Sequence, residues 1–372
     1  MSNSVRKVCP VRGCSTICSV YPRNTLRGHV LKCHKKSKAA MMALKDKNAF
    51  RYVPGSENDV TEKKDSTQGT KKDSTQGTKR KKTKRDSDEK DVIRKKKKTI
   101  DLEVCKKAAL HAARLAGNII CSSHGNVRNK RSKGGIDLVT KYDDECEKAC
   151  FQYLKKMFPS HKFIGEESAS ENVLTDAPTW IVDPIDGTHN FVHGQANVAV
   201  AIGLSICRKP VLGVVYNPIK DELFSAIEGK GAFLNGMPIR ARNESKLSES
   251  MILTGIGHSR SEKYVSRSME YLENLIRAPI QCVRMLGSCA LGMCEVARGS
   301  CSAFYEFNVG GLWDTTAAAI IVRESGASCQ NFFSGHDFDL VSGKQHVLCG
   351  DPKLLKSMRK VMFSKKSPKK KN

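Results

Sequence analysis

From residue 55 to 98 the chain offers almost nothing apolar to bury, and that stretch decides how the rest divides. It holds a tandem octapeptide, KKDSTQGT at 63–70 and again at 71–78, followed by KRKKTKR and RKKKK. A segment this polar cannot offset the entropy of ordering its own backbone, so a disordered basic linker is expected over 55–100. The repeat is too polar to stack as a solenoid. The 372 residues therefore divide into a short module at 1–54, the linker, one large domain at 101–355 and a basic tail at 356–372. Charge follows the same division. Residues 1–100 carry +18 and residues 352–372 carry +9, whereas 101–351 carry −1 of the total +26. The basicity sits at the two ends, so the large domain is not itself built to bind a polyanion.

The opening MSNSVRKVCP is polar and basic, unlike a secretory leader. Fifteen cysteines, an odd number, are scattered along the chain, eleven of them within 101–351. Disulfides are not expected, and the compartment is expected to be reducing: cytoplasmic, with a nuclear location as the alternative. No run of about 18 apolar residues occurs, so no membrane span is expected.

Beyond residue 100 the pattern changes. DLEVCKKAALHAARLAGNIICSSH places Leu102, Cys105, Ala109, Ala112, Ala113, Ala116, Ile119 and Ile120 at helical spacing, and DDECEKACFQYLKKMF predicts a second amphipathic helix. Apolar runs in KFIGEE, TWIVDPID, VAVAIGLSI, PVLGVVYNP and ELFSAIEGKGAFLNG predict strands. Helices are predicted at about 261–277, after RMLGSCALGM, and over WDTTAAAIIVRESG, with a strand at CSAFYEF. Blocks of helix and strand with hairpin-like strand pairs predict an α/β fold with layered, mixed sheets.

Within WIVDPIDGTHNF, an apolar strand is expected to stop at Asp183-Pro184, with Asp186 three residues on. Around a turn the two carboxylates and the Ile185 carbonyl reach one point. Gly187 permits the bend and Thr188 opens the next element. Two adjacent acids repel unless a cation neutralises them, and an oxygen-only donor set suits Mg²⁺ better than Zn²⁺. FIGEES adds Glu166 and Glu167 after a short strand, and Asp314 opens an apolar helix, where capping competes with ligation for its oxygens.

DPIDGTHNF, WDTTAAAIIVRESG, GEES and IDLVTKYD together closely resemble the inositol monophosphatase family over about residues 101–355. The resemblance implies an αβαβα sandwich, a homodimer and a Mg²⁺-dependent, lithium-sensitive phosphatase. Its expected reaction is hydrolysis of myo-inositol monophosphate to inositol and phosphate by a metal-activated water, without a phosphoenzyme. By the same resemblance Glu166, Asp183, the Ile185 carbonyl, Asp186 and Asp314 would hold two Mg²⁺ ions. Glu167 and Asp143 would line a weaker third position. Thr188 would hold the attacking water with Glu166, and the amides of Gly187 and Thr188 would meet the phosphate. Glu306, Gly287, Ser288 and Cys289 would face the polyol ring. Another sugar phosphate or a nucleotide bisphosphate remains an open substrate, because Gly310-Gly311 leave the ring pocket loosely specified.

At the N-terminus Cys9, Cys14, His29 and His34 fit a zinc-finger spacing and would hold one structural Zn²⁺, although the usual aromatic between the pairs is replaced by Cys18. With the basic runs, this module makes nucleic acid a candidate partner. The protein is then read alternatively as a nucleic-acid-binding protein that carries a phosphatase domain.

Overall fold

The computed structural model describes residues 6–8, 17–19, 100–126, 130–134, 137–168, 173–257, 259–341 and 346–364. In the unit spanning residues 1–80, β1 (Arg6–Val8) pairs antiparallel with β2 (Ile17–Ser19). The expected zinc ligands Cys9, Cys14, His29 and His34 lie outside the described residues, as do the 55–98 segment and everything after 364.

In the second unit, α1 (Leu102–Ser123) begins where the Asp101 carboxylate accepts the amides of Glu103 and Val104 at 2.9 and 3.2 Å. That cap satisfies amides the first turn cannot pair internally. The buried stripe of α1 is nearly all small, with Cys105, Ala108, Ala109, Ala112, Ala113, Ala116 and Gly117, so its backbone packs close. β3 (Lys130–Gly134) and β4 (Asp137–Thr140) form a two-stranded ribbon leading into α2 (Lys141–Met157), which lies beside α1.

Next come β5 (Lys162–Gly165), β6 (Thr179–Asp186), the short α3 (Thr188–Val192), β7 (Ala199–Ile206), β8 (Lys209–Asn217), β9 (Glu222–Ile227), β10 (Ala232–Leu234) and β11 (Met237–Ile239). The strands form a seven-stranded sheet, order β11-β10-β9-β8-β7-β6-β5, antiparallel except for the parallel β5–β6 pair. Then β12 (Met251–Thr254), α4 (Glu262–Arg277), β13 (Cys282–Arg284), α5 (Cys289–Ala297), β14 (Ala303–Phe307), α6 (Leu312–Glu324), β15 (Ser328–Asn331), β16 (His346–Gly350) and α7 (Pro352–Met362) complete the domain. Their strands form a five-stranded sheet, order β13-β12-β14-β16-β15, with β12 parallel to both its neighbours and the β16 pairs antiparallel.

Three apolar clusters stack these elements into five layers. Trp180, Val182, Val200, Ile202 and Leu204 face α1 and α2. Their sheet neighbours Ile181, Ala199 and Ala201 face α5 and α6, which also meet Phe304, Cys329 and Val347 of the second sheet. Tyr305, Phe307 and Leu348 then face α4 and α7. Strands sandwiched on both faces read as unbroken apolar runs, and this is why VAVAIGLSI shows no polar alternation. The layered αβαβα expectation matches what is observed. Among the described residues no helix is long and apolar enough to cross a membrane.

Two details place the functional region. Gly203 and Gly213 face each other across β7 and β8, directly under α6. A Cβ at Gly203 would lie 2.5 Å from Thr316, and one at Gly213 would lie 2.1 Å from the Ala317 carbonyl. The missing side chains let the helix rest on the sheet. At its far end the Glu324 carboxylate accepts the amides of Gly229 and Gly231 at 2.8 and 2.7 Å, tying α6 to the β9–β10 turn. Glu324→Ala orphans both donors and is expected to cost about 1–2 kcal/mol. An unchanged urea midpoint would refute that role.

Two sequence expectations need correction. The strand does not stop at Asp183: β6 continues through Pro184 to Asp186. The domain also runs past 355, because α7 carries Met358 and Met362 into the core. Lys353, Lys356 and Lys360 of this helix face outward, whereas Arg359 turns in to donate to the Phe333 carbonyl at 2.6 Å, and the run of charge made the helix read as the start of a tail.

Candidate active site

In a regular strand, residues three apart point to opposite faces. Asp183 and Asp186 avoid this because β6 bulges between them. Asp183 pairs with Ala201 and Asp186 with Ala199, so three steps on β6 span two on β7. The bulge returns both carboxylates to one face, and Pro184, which has no amide to donate, sits inside it. The Asp183 Oδ1 accepts the Ile185 amide at 3.0 Å, which fixes its direction.

Gly187 follows with φ 90° and caps α3. A Cβ there would lie 2.9 Å from the Asn197 carbonyl and 3.1 Å from that of Gly287, so space and backbone conformation both require glycine. The Thr188 hydroxyl lies 3.0 Å from the Ile185 carbonyl and 3.3 Å from Asp143 Oδ1. Asp143 in turn accepts the Thr140 amide and hydroxyl at 2.8 and 2.6 Å, the capping box that starts α2.

Asp186 is held from the other side. It accepts the Cys289 amide at 3.1 Å, the Ala290 amide at 2.8 Å and the Ser288 hydroxyl, all from the start of α5. Asp314 accepts the Gly311 amide at 2.6 Å and thereby caps α6, yet its carboxylate still joins the acid cluster. Carboxylate oxygens of Asp183, Asp186 and Asp314 all lie within 4.8 Å of one another. Glu166 lines the same cavity of about 240 Å³. Ile185, Gly187, Thr188, Gly287, Ser288, Cys289 and Glu306 line it too. Glu167 and Asp143 are not among its lining residues; the Glu167 amide instead donates to Glu147 at 2.9 Å.

Some contributors had no structural role assigned from sequence. Asn190 Nδ2 lies 2.8, 2.7 and 3.3 Å from the carbonyls of Asn197, Leu286 and Gly287, tying α3 to the loop before α5. Its place in DPIDGTHNF was the available signal. Gly255 leaves room for Glu306, since a Cβ there would lie 2.2 Å from that carboxylate. Arg260 and Asn308 also line the cavity. No spacing linked these loops to the acids.

The electrostatics are those of crowded acids. Burial first, then the charges of Glu166, Asp186, Asp314 and Asp143, push Asp183 well above the usual carboxylate range. Burial and then Glu166 and Asp186 do the same to Asp314. Asp186 is raised to about 6 by burial, with the Ser288 hydroxyl and the α5 amides pulling the other way. Burial and the Asp186 charge raise Glu306 to about 7, against the Gly257 amide it accepts. Burial also lifts the Cys289 thiol well above its ordinary value, so it stays protonated and is a poor nucleophile. Five acids line this cavity, and the oxygen-only donor set of Glu166, Asp183, Asp186 and Asp314 fits hard divalent cations, whose charge would oppose the upward shifts of the three aspartates.

Comparison with known proteins agrees with this geometry. The model of the inositol monophosphatase family matches residues 101–363. Inositol monophosphatase 2 of Solanum lycopersicum is 50% identical over 240 residues, covering 63% of this chain and 89% of that protein. Inositol monophosphatase 1 of Homo sapiens is 38% identical over 255 residues, covering 68% and 91%. The solved IMPase of Thermotoga maritima superposes with a TM-score of 0.62 at 30% identity, over 70% of this chain and 96% of that one.

Proposed function

The chain belongs to the inositol monophosphatase family, and on that premise we propose that it hydrolyses myo-inositol monophosphate to inositol and inorganic phosphate with Mg²⁺ as its cofactor. The observation that carries this reading is the convergence of Glu166, Asp183, Asp186 and Asp314 on one cavity shared with Glu306. Those four acids and the Ile185 carbonyl would hold the cations. When bound, divalent ions acidify water and offset charge on the attacking and leaving oxygens.

The chain's own groups do the rest. The single proton of the Thr188 hydroxyl is directed at the Ile185 carbonyl, with Asp143 as the more distant acceptor, so its oxygen is left to accept a hydrogen bond from the attacking water and aim it. Glu166, which lines the same cavity, takes that water's proton. The amides of Gly187 and Thr188 receive phosphate oxygens. Glu306, raised to about 7, presents a carboxyl that accepts from or donates to a polyol hydroxyl near neutral pH. Ser288 and the first amides of α5 keep Asp186 from rotating away. No nucleophilic side chain is required, so attack is in line and direct.

The test is a phosphate-release panel of inositol 1-phosphate, fructose 1,6-bisphosphate and adenosine 3′,5′-bisphosphate, each with Mg²⁺, with EDTA and with added Li⁺. Inositol 1-phosphate is expected to turn over fastest, only with Mg²⁺, and to be inhibited by Li⁺ in a Mg²⁺ position. Turnover in EDTA, or preference for a bisphosphate, would overturn the reading.

A further inference from the structure

Helix α2 carries two buried acids one turn apart, Asp143 and Glu147, and spacing of four residues puts them on one face. Asp143 reaches Thr188. Glu147 reaches the segment that presents Glu166. Its Oε2 accepts the Glu167 amide at 2.9 Å. Its carboxylate also lies flat against Gly165: a Cβ there would fall 2.1 and 2.8 Å from the two oxygens and 2.3 Å from the carboxyl carbon. The Glu166 amide itself donates to the Val182 carbonyl of β6 at 3.2 Å. One side chain therefore accepts the amide after Glu166 and packs against the residue before it, while the Glu166 amide itself is held by the sheet. Glu147 is buried and is not among the residues that line the cavity, so it stands behind the acid cluster rather than in it. A buried carboxylate is costly, and a segment that only needed filling would be served by an apolar residue.

We propose that Glu147 is a positioning residue: it fixes the Gly165–Glu167 turn so that the Glu166 carboxylate points into the acid cluster, and residue 165 is glycine to admit it. The proposal rests on the reading of this cavity as a divalent-cation site. Its effect should appear in cation affinity, where loss of such an outer support commonly costs roughly 10–100-fold.

The experiment compares Glu147→Gln, Glu147→Asp and Gly165→Ala in the full chain, by calorimetric titration with Mg²⁺ and by the Mg²⁺ dependence of phosphate release. Thermal melts in EDTA check folding. Gln keeps the length and a carbonyl acceptor for the Glu167 amide, so its Mg²⁺ affinity should stay within about threefold of the parent. Asp keeps the charge but falls one methylene short, and should weaken Mg²⁺ binding roughly tenfold or more. Gly165→Ala should match Asp, and Gly165→Ala combined with Glu147→Asp should be no worse than Gly165→Ala alone, because both break one contact. Substrate KM at saturating Mg²⁺ should barely move. If Asp binds like the parent and Gln does not, Glu147 acts by charge and the proposal is wrong. It is equally wrong if melting temperatures fall while Mg²⁺ affinities stay together, or if the paired substitutions add. Should the parent bind Mg²⁺ yet release no phosphate, the proposed activity fails while the titrations still decide this point.

Discussion

Asp183→Asn is expected to lower kcat/KM for inositol 1-phosphate by at least ~10³-fold, about 4 kcal/mol of lost transition-state stabilisation, while raising the melting temperature of the cation-free protein. The two effects have one cause. Asp183 is buried among Glu166, Asp186, Asp314 and Asp143, all of which oppose its ionisation. Asparagine removes one of the mutually repelling charges and keeps the oxygen that accepts the Ile185 amide, so the bulge that orients Asp186 persists. What disappears is an anionic donor for the cations. Such opposition between stability and activity marks a site assembled for function. Phosphate release and EDTA melts on the same preparations test it. Unimpaired turnover would remove the foundation of the proposed activity, and a falling melt would show that the acids are not in conflict.

Much of this site was legible because its acids sit at fixed offsets from residues with unmistakable backbone demands. Asp183 and Asp186 flank Pro184 and precede Gly187, and Asp314 opens an apolar helix. The parity of β6 was not legible. The strand was expected to end at Asp183, and only the register against β7 shows that a bulge puts both acids on one face. Glu147 was hidden for a different reason. In DDECEKAC it looks like one more solvated charge on an amphipathic helix, and its partner lies twenty residues away on a loop. β13 and β15 were missed because three- and four-residue strands with polar residues carry no usable period. Glu324 shows the converse: the glutamate of WDTTAAAIIVRESG was visible as a motif member, but its work, closing the β9–β10 turn, required the fold.

The cation-free protein is expected to lose stability as pH rises above about 4 and through about 6, and Mg²⁺ should cancel that loss. An ordinary unfolded aspartate titrates near ~3.9. In the folded state Asp186 is raised to about 6, and Asp183 and Asp314 are raised well above the ordinary value. Between those limits the folded state holds more protons than the unfolded one, so the unfolding free energy falls with increasing pH. Their stabilising contribution is complete below the unfolded pKa and is lost as pH climbs through the folded values. Cations act in the opposite sense, since they bind the ionised acids and displace protons. Mg²⁺ at a hundred times its dissociation constant adds about 2.7 kcal/mol, or roughly 5–10 °C for a domain of this size. Melts in EDTA and in Mg²⁺ should therefore nearly coincide around pH 5 and separate progressively toward pH 8. The difference between the two curves isolates the cluster from every other titrating group on this basic chain. Curves that stay parallel would mean that these acids are not what Mg²⁺ meets.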